Sequence, residues 1–122
     1  MHKSTVETLN TLCTQVYMDA EAHGLWNNAK ALANHIIPRE DALRHMAAER
    51  IRAEVQEAMD ASNDPDHYAE ELADVIITVL SAAGLLGVDI GTAVSQKILF
   101  STAAGRTSTF KRKGGRLCAS IV

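Results

Sequence analysis

The sequence predicts an all-α fold, a four-helix bundle with mainly antiparallel neighbours, on three observations. Of the 122 residues, 47% are hydrophobic but only 4% are aromatic, and alanine is frequent, which favours closely packed helices over a β-sandwich. Apolar residues recur at steps of three and four along most of the chain. Capping and helix-stopping residues divide it into four long segments joined by short turns.

The first helix is predicted to begin near Thr5 and to end before Gly24. Ser4 and Glu7 have the spacing of a capping box, in which each side chain accepts a hydrogen bond from the backbone N–H of the other residue. The apolar side of this helix would contain Val6, Leu9, Leu12, Cys13, Val16 and Tyr17.

The pattern weakens between Gly24 and Pro38. Asn27 and Asn28 precede a possible short helix over 29–35. Trp26, the only tryptophan, opens this segment, and its large apolar ring suits it as a core anchor.

The second and third helices are predicted at 39–61 and 65–86 and would form a hairpin. Pro38 suits the start of the second helix, because proline is favoured in a first helical turn. Asp64 can cap the third helix, with Pro65 in its first position. Gly87 can end it in a left-handed conformation.

A fourth helix is predicted over 90–104, with Asp89 as its N-cap and Gly105 after its end. Residues 1–104 would then form one helical domain. Residues 105–122 are a basic, glycine-containing tail, containing Arg106, Lys111, Arg112, Lys113 and Arg116. Two interpretations of the tail stay open, a solvated segment or a phosphate contact in which the N–H groups of Gly114 and Gly115 face an anion.

The third helix has an uncharged run from Val75 to Leu86. So much apolar surface is hard to cover within one small chain, so we expect at least a homodimer, built around the second and third helices. The run is too short to span a bilayer. Because Cys13 and Cys118 match no disulfide or metal-site spacing, we expect reduced thiols and a cytoplasmic location. The formal charge of −3 gives no reason to expect a nucleic-acid partner.

Two pairs of acidic residues lie on the predicted hairpin. Glu54 and Glu57 precede a spacer of 13 residues, and Glu71 and Asp74 follow it. The i,i+3 spacing places each pair on one side of its helix, and the hairpin lets the pairs meet. Glu54 falls within the apolar stripe of the second helix, so its carboxylate needs a partner. The stripe recurs at steps of three and four and contains Leu43, Ala47, Ile51, Val55 and Ala58.

The acids allow two interpretations. Solvated surface pairs with salt bridges to Arg50 or Arg52 are the simpler one. Carboxylates that gather in an apolar setting repel one another, and they must either take up protons or be neutralised by cations. Oxygen ligands of this kind suit Mg²⁺, Mn²⁺ or Ca²⁺.

The spacing Glu-x-x-Glu, a short spacer and Glu-x-x-Asp resembles the MazG-like all-α nucleoside triphosphate pyrophosphohydrolases, in their small phage and bacterial form. The resemblance covers residues 16–100 and includes Gly24-Leu-Trp26, Glu70–Ile77, Gly87–Ile90 and Lys97. It implies Mg²⁺-dependent cleavage of the α–β phosphoanhydride, giving a monophosphate and pyrophosphate. Mn²⁺ would be a possible substitute, and dNTPs or non-standard NTPs possible substrates.

The resemblance also implies roles for individual residues. Glu54, Glu57, Glu71 and Asp74 would be metal ligands. Glu54 would in addition orient or deprotonate the attacking water, because its place in the apolar stripe favours an elevated pKa. Trp26 would stack on the nucleobase.

Phosphate contacts would come from the fourth helix, where Lys97 matches a lysine of the family. Relatives have an asparagine four residues later, followed by an arginine and a His-Gly segment. Here the fourth position is Ser101 and the next arginine is Arg106, a further candidate for phosphate binding. Ala53 stands where some relatives have an additional acid.

Two other functions stay open. One is hydrolysis of phosphoribosyl-ATP within the same superfamily. The other is a non-catalytic helical dimer that binds a nucleotide or a partner without turnover. For every one of these functions, the assembly could be a homodimer or a tetramer of two dimers.

Overall fold

The computed structural model describes residues 3–36, 38–103, 108–113 and 116–121. The elements in chain order are α1 (Lys3–Ala22), α2 (Asn27–Ala33), α3 (Arg39–Asp60), α4 (Pro65–Leu86), α5 (Ile90–Ala103), β1 (Ser108–Lys113) and β2 (Arg116–Ile121). The prediction of an all-α fold is confirmed for the described residues between 3 and 103. Each long helix lies within two residues of its predicted bounds, and the short helix α2 is present.

Capping residues set the ends of α4. Asp64 is extended and accepts a hydrogen bond from His67 N at 3.4 Å, and Pro65 occupies the first turn. Gly87 ends the helix at φ +69°, a conformation that glycine adopts without strain, and Val88 N donates to Ala83 O at 2.9 Å. Both of these predicted caps are confirmed.

The capping box predicted at the start of α1 is wrong. The helix is already formed at Lys3, so Ser4 lies within it and cannot be the N-cap of a capping box. The carbonyl of Ser4 accepts a hydrogen bond from Thr8 Oγ1 at 2.7 Å, as a helical residue does with the residue four positions later.

The chain forms two compact units, Thr11–Val88 and a unit that joins Met1–Asn10 to Asp89–Val122. In the second of these, the start of α5 meets α1. Asn10 Nδ2 donates to Asp89 Oδ1 at 2.9 Å, and Gly91 N donates to Asn10 Oδ1 at 2.8 Å. Asp89 also accepts from Thr92 N and Oγ1, so it caps α5 as predicted.

The C-terminal segment contains an antiparallel hairpin that the sequence analysis did not predict. β1 and β2 pair in a register that runs from Ser108 opposite Ile121 to Lys113 opposite Arg116. Four of the tail's basic residues lie on these strands: Lys111, Arg112, Lys113 and Arg116.

The unit Thr11–Val88 has a core of mostly small side chains, in which α3 and α4 form the predicted hairpin. Trp26 is surrounded by Ala20, Ala47 and Ala82. A Cβ atom on Gly84 of α4 would lie 2.4 Å from Tyr17 Cβ, so glycine permits α1 and α4 to approach closely. The alanine and glycine content that suggested closely packed helices thus lies at the helix contacts.

The apolar stripe of α3 is buried over only part of its length. Leu43, Ala47 and Ala58 are buried as predicted, and Ile51 is half-buried. Val55, placed in the core by its spacing, is exposed instead. The exposed side chain shows that the last turns of α3 are less covered than the periodicity indicated.

Among the described residues, no single helix is long and apolar enough to cross a membrane. Helix α4 and residues 90–99 of α5, which are separated by a break, are together long and apolar enough, by length and composition only.

Candidate metal centre and adjoining cleft

Three of the four predicted acids lie together. Glu54 of α3 and Glu71 and Asp74 of α4 each offer a carboxylate oxygen, and these oxygens all lie within 4.8 Å of one another. In a divalent metal site with metal–oxygen distances of about 2.0–2.6 Å, oxygens on opposite sides of the ion are about 4–5 Å apart. The spacing of the three acids therefore fits the coordination sphere of a hard divalent cation.

Glu57, the fourth predicted ligand, is outside this set of three. It lies one helical turn after Glu54 and is exposed, and its carboxyl group interacts with that of Glu54 and raises the pKa of Glu54. The structure therefore places Glu57 beside Glu54.

The pKa of the Glu54 carboxyl group is raised above its ordinary value. Partial burial is the largest cause, followed by the hydrogen bond and the charge of Glu57 and then the charge of Asp74, while Arg50 acts in the opposite direction. This agrees with the elevated pKa that the position of Glu54 predicted.

Glu71 is largely enclosed, with a side chain 17% exposed. Its Oε1 lies 3.1 Å from His67 Nε2. Its Oε2 is enclosed and has no hydrogen-bond partner among the described residues. An enclosed carboxylate oxygen without a partner is costly, and a bound cation would satisfy it, so the donor set fits a metal such as Mg²⁺ or Mn²⁺.

His67 is a site residue that the sequence analysis did not identify. Its signal was its position four residues before Glu71, which puts both side chains on the same side of α4. A single helical histidine is common at protein surfaces, so the spacing alone did not distinguish it.

A polar stripe runs along one side of α4 at steps of three and four, and its burial changes along the helix; it contains Glu71, Asp74, Thr78 and Ser81. Asp74 is exposed, but Thr78 and Ser81, the next polar residues on that side, are buried. Ser81 Oγ donates to the Thr78 carbonyl at 3.0 Å, which satisfies the hydroxyl within the helix. Only the acidic part of the stripe belongs to the candidate site.

A cleft of about 530 Å³ adjoins the acids. Glu54 and Glu57 form part of its wall, so it opens beside the three-carboxylate cluster. Its size is within the range of small-molecule sites. The rest of the wall combines apolar and polar side chains, among them Leu25, Trp26, Asn28, Leu32, Met46, Glu49 and Arg50.

Trp26 contributes to this wall from the core. It is only 2% exposed, and its Nε1 is enclosed without a hydrogen-bond partner among the described residues. This burial agrees with the core anchor expected from the sequence. Stacking of its ring on a nucleobase stays a prediction.

Lys97 and Arg106 are the two residues predicted to contact phosphate. Lys97 is an exposed residue of α5, in the unit that contains both chain ends. Arg106 is outside the described residues. Phosphate binding by these two residues therefore stays a prediction.

Comparison with known proteins identifies no relative. No family model, no curated protein and no solved structure matches this chain. The likeness to MazG-like enzymes therefore rests on the residues quoted above, and function has to be argued from the acid cluster and its cleft.

Proposed function

We propose that this chain is a metal-dependent nucleoside triphosphate pyrophosphohydrolase of the MazG-like type. It would cleave the α–β phosphoanhydride of dNTPs or non-standard NTPs and release pyrophosphate. One observation carries the proposal: carboxylate oxygens of Glu54, Glu71 and Asp74 lie within 4.8 Å of one another, and Glu54 is also part of the wall of a cleft of about 530 Å³.

The metal ligands would be Glu54, Glu71 and Asp74, with Mg²⁺ as the natural ion and Mn²⁺ as a substitute. The enclosed, unpartnered Oε2 of Glu71 supports this choice of ligands. When bound, such an ion would hold polyphosphate oxygens, offset their charge and lower the pKa of a bound water. Glu57, the fourth predicted ligand, is proposed to act through its interaction with Glu54.

Glu54 is the proposed proton acceptor. Burial and the neighbouring carboxylates raise its pKa, which brings its proton affinity closer to that needed in a general base near neutral pH. Its carboxyl group is shared between the acid cluster and the cleft wall, so it can orient a water at the boundary between metal and substrate.

The cleft would hold the nucleoside part of the substrate. Leu25, Leu32 and Met46 offer apolar surface to a base or sugar. The amide of Asn28 and the guanidinium of Arg50 can hydrogen-bond to polar edges. Trp26, Lys97 and Arg106 remain proposed substrate contacts on the strength of the resemblance.

The active assembly is proposed to be a homodimer formed through α3 and α4. Each helix has a pair of exposed apolar residues at i,i+4 spacing, Val55 and Met59 on α3 and Leu72 and Ile76 on α4. A second copy would remove these side chains from water. The pairs occur next to the acids in sequence, so the interface would lie near the metal centre.

The experiment that tests this function is pyrophosphate release from standard and modified nucleoside triphosphates, with Mg²⁺, with Mn²⁺ and with a chelator. Release that depends on metal and yields the monophosphate is the expected result. A chain with Glu71→Gln is the matched control for contaminating hydrolases, because it should purify identically and release nothing.

Failure of this test would take one of two forms. Release only from phosphoribosyl-ATP would replace the proposed substrate class by the other one in the superfamily. No release from any triphosphate, by folded protein that binds Mn²⁺, would reject hydrolysis and leave a non-catalytic nucleotide-binding dimer.

A further inference from the structure

The two oxygens of the Glu71 carboxylate have different surroundings. Oε1 lies 3.1 Å from His67 Nε2, and Oε2 is enclosed without a hydrogen-bond partner among the described residues. Because an ionised carboxylate only accepts hydrogen bonds, Nε2 must be the protonated nitrogen of the ring. Oε1 thus has a hydrogen-bond donor, whereas the enclosed Oε2 has none among the described residues.

His67 is itself held in place by the start of α4. Its backbone N donates to Oδ1 of Asp64, the N-cap residue, so it lies in the first turn of the helix. Residues four positions apart lie on the same side of a helix, so the His67 ring is next to Glu71, one turn later. The ring is 54% exposed, whereas the Glu71 side chain is 17% exposed. The contact therefore joins a surface histidine to a more enclosed acid.

We propose that His67 is a positioning residue of the metal centre. Its Nε2–H donates to Glu71 Oε1, fixes the rotation of the carboxylate and keeps Oε2 directed to the cation shared with Glu54 and Asp74. Hydrogen-bonded partners of metal-ligating carboxylates commonly have this effect on affinity. The inference rests on the proposed function only in taking these three acids as metal ligands.

The alternative is that the pair only supports the helix. Exposed i,i+4 pairs contribute little to helix stability, so loss of the pair would then change neither folding nor metal binding by much. The two roles therefore differ in metal affinity, which can be measured directly.

The test is to titrate the full chain and three His67 variants with Mn²⁺. Binding would be monitored by calorimetry or by the spectrum of free Mn²⁺. His67→Ala should raise the dissociation constant by about 10- to 100-fold. His67→Gln should recover most of the loss, because its amide nitrogen is as many bonds from Cα as Nε2 is. His67→Asn should not recover it, because its amide is one bond shorter.

Controls separate positioning from folding. His45→Ala removes an exposed histidine of α3 that belongs neither to the cluster nor to the cleft wall, so it should leave Mn²⁺ binding unchanged. Circular dichroism and melting curves of all variants should match those of the wild type.

Unchanged affinity in His67→Ala would overturn the proposal, and so would equal losses in the alanine and glutamine variants. A wild-type chain that binds no Mn²⁺ would overturn it together with the proposed metal centre. If the wild type binds Mn²⁺ but hydrolyses no triphosphate, the proposed function fails, and the affinities of the variants still decide the role of His67.

Discussion

The two halves of α4 differ in what surrounds them. In the half from Thr78 to Leu86, Leu80, Ser81, Ala82 and Ala83 are buried. In the half from Pro65 to Ile77, the large apolar residues Leu72, Ile76 and Ile77 are exposed, at 41%, 59% and 49%. The acids Glu71 and Asp74 occur only in this second, less covered half.

The difference shows how one helix serves two purposes. The covered half fixes the position of α4 through small residues and close contacts, such as that of Gly84 with Tyr17. The open half can then hold carboxylates where a cation reaches them, without the full cost of burying charge. We expect changes in one half to alter stability and changes in the other to alter activity.

The largest expected effect comes from the open half. Glu71→Gln or Asp74→Asn removes a ligand charge and should lower pyrophosphate release by at least about 100-fold. Stability should stay within about 0.5 kcal/mol of the wild type or rise, since a repulsive charge is lost. Steady-state rates and urea unfolding would check both parts. An unfolded variant would show that the acids are structural and that the site is wrongly assigned.

The covered half should respond in the opposite way. Gly84→Ala places a Cβ atom 2.4 Å from Tyr17 Cβ, and we expect a net loss of about 1–3 kcal/mol in the free energy of unfolding. The loss would appear despite the better helix propensity of alanine, worth about 1 kcal/mol.

Urea denaturation measures this loss. Ala69→Gly, which changes an exposed residue in the open half of α4, is the matched control. It should cost about 1 kcal/mol through propensity alone. If Gly84→Ala instead stabilised the protein, the covered half would be loosely packed and the contrast between the halves would disappear.

The third prediction concerns the exposed apolar residues of the open half. Ile76→Lys introduces a charge into the proposed dimer interface and should weaken self-association by about tenfold or more. Light scattering after size-exclusion chromatography would report the mass. Leu12→Lys, which changes an exposed leucine of α1, is the control and should leave the dimer intact. A wild-type chain that is monomeric at micromolar concentration would contradict the proposed assembly.

The smallest effect is a pH dependence due to Glu54. Its pKa in the folded protein lies above the ordinary value of 4.5, so just above that pH the folded chain retains a proton that the unfolded chain has lost. The free energy of unfolding contributed by this group therefore falls as the pH rises through that range. Glu54→Gln removes the titration.

Urea unfolding in chelator at several pH values would measure this difference. The stability of Glu54→Gln relative to the wild type should increase as the pH is raised above about 4.5 and then level off once Glu54 is ionised. A constant difference across the range would mean that Glu54 has an ordinary pKa and is a weaker candidate for the general base.

The helices could be predicted from the sequence because their ends are marked by local chemistry. Asp64, Pro65 and Gly87 act within a few residues of themselves, so the bounds of α4 follow without knowledge of the fold. The acid pairs likewise follow from spacing, once α3 and α4 are known to form a hairpin. Gly114-Gly115, between two segments that contain Phe110 and Leu117, is a sequence typical of a two-residue hairpin turn.

The burial of individual residues and the geometry of the site depend on tertiary contacts, which residue spacing does not determine. Periodicity put Val55 in the core, but whether a neighbour covers that turn of α3 depends on the packing of other helices. Glu57 has the same i,i+3 spacing as Asp74, yet only Asp74 joins the cluster. The orientation of each carboxyl group, and the contact of Glu71 with His67, required the folded structure.

The connection of Asn10 with Asp89 and Gly91 has a consequence for the order of folding. These hydrogen bonds join residues 79 and 81 positions apart, whereas the unit Thr11–Val88 is one continuous stretch of chain. Closing a long loop is slow compared with forming local contacts. On the ribosome, the continuous unit can therefore form as soon as Val88 has emerged, and the unit that joins the two chain ends is completed last.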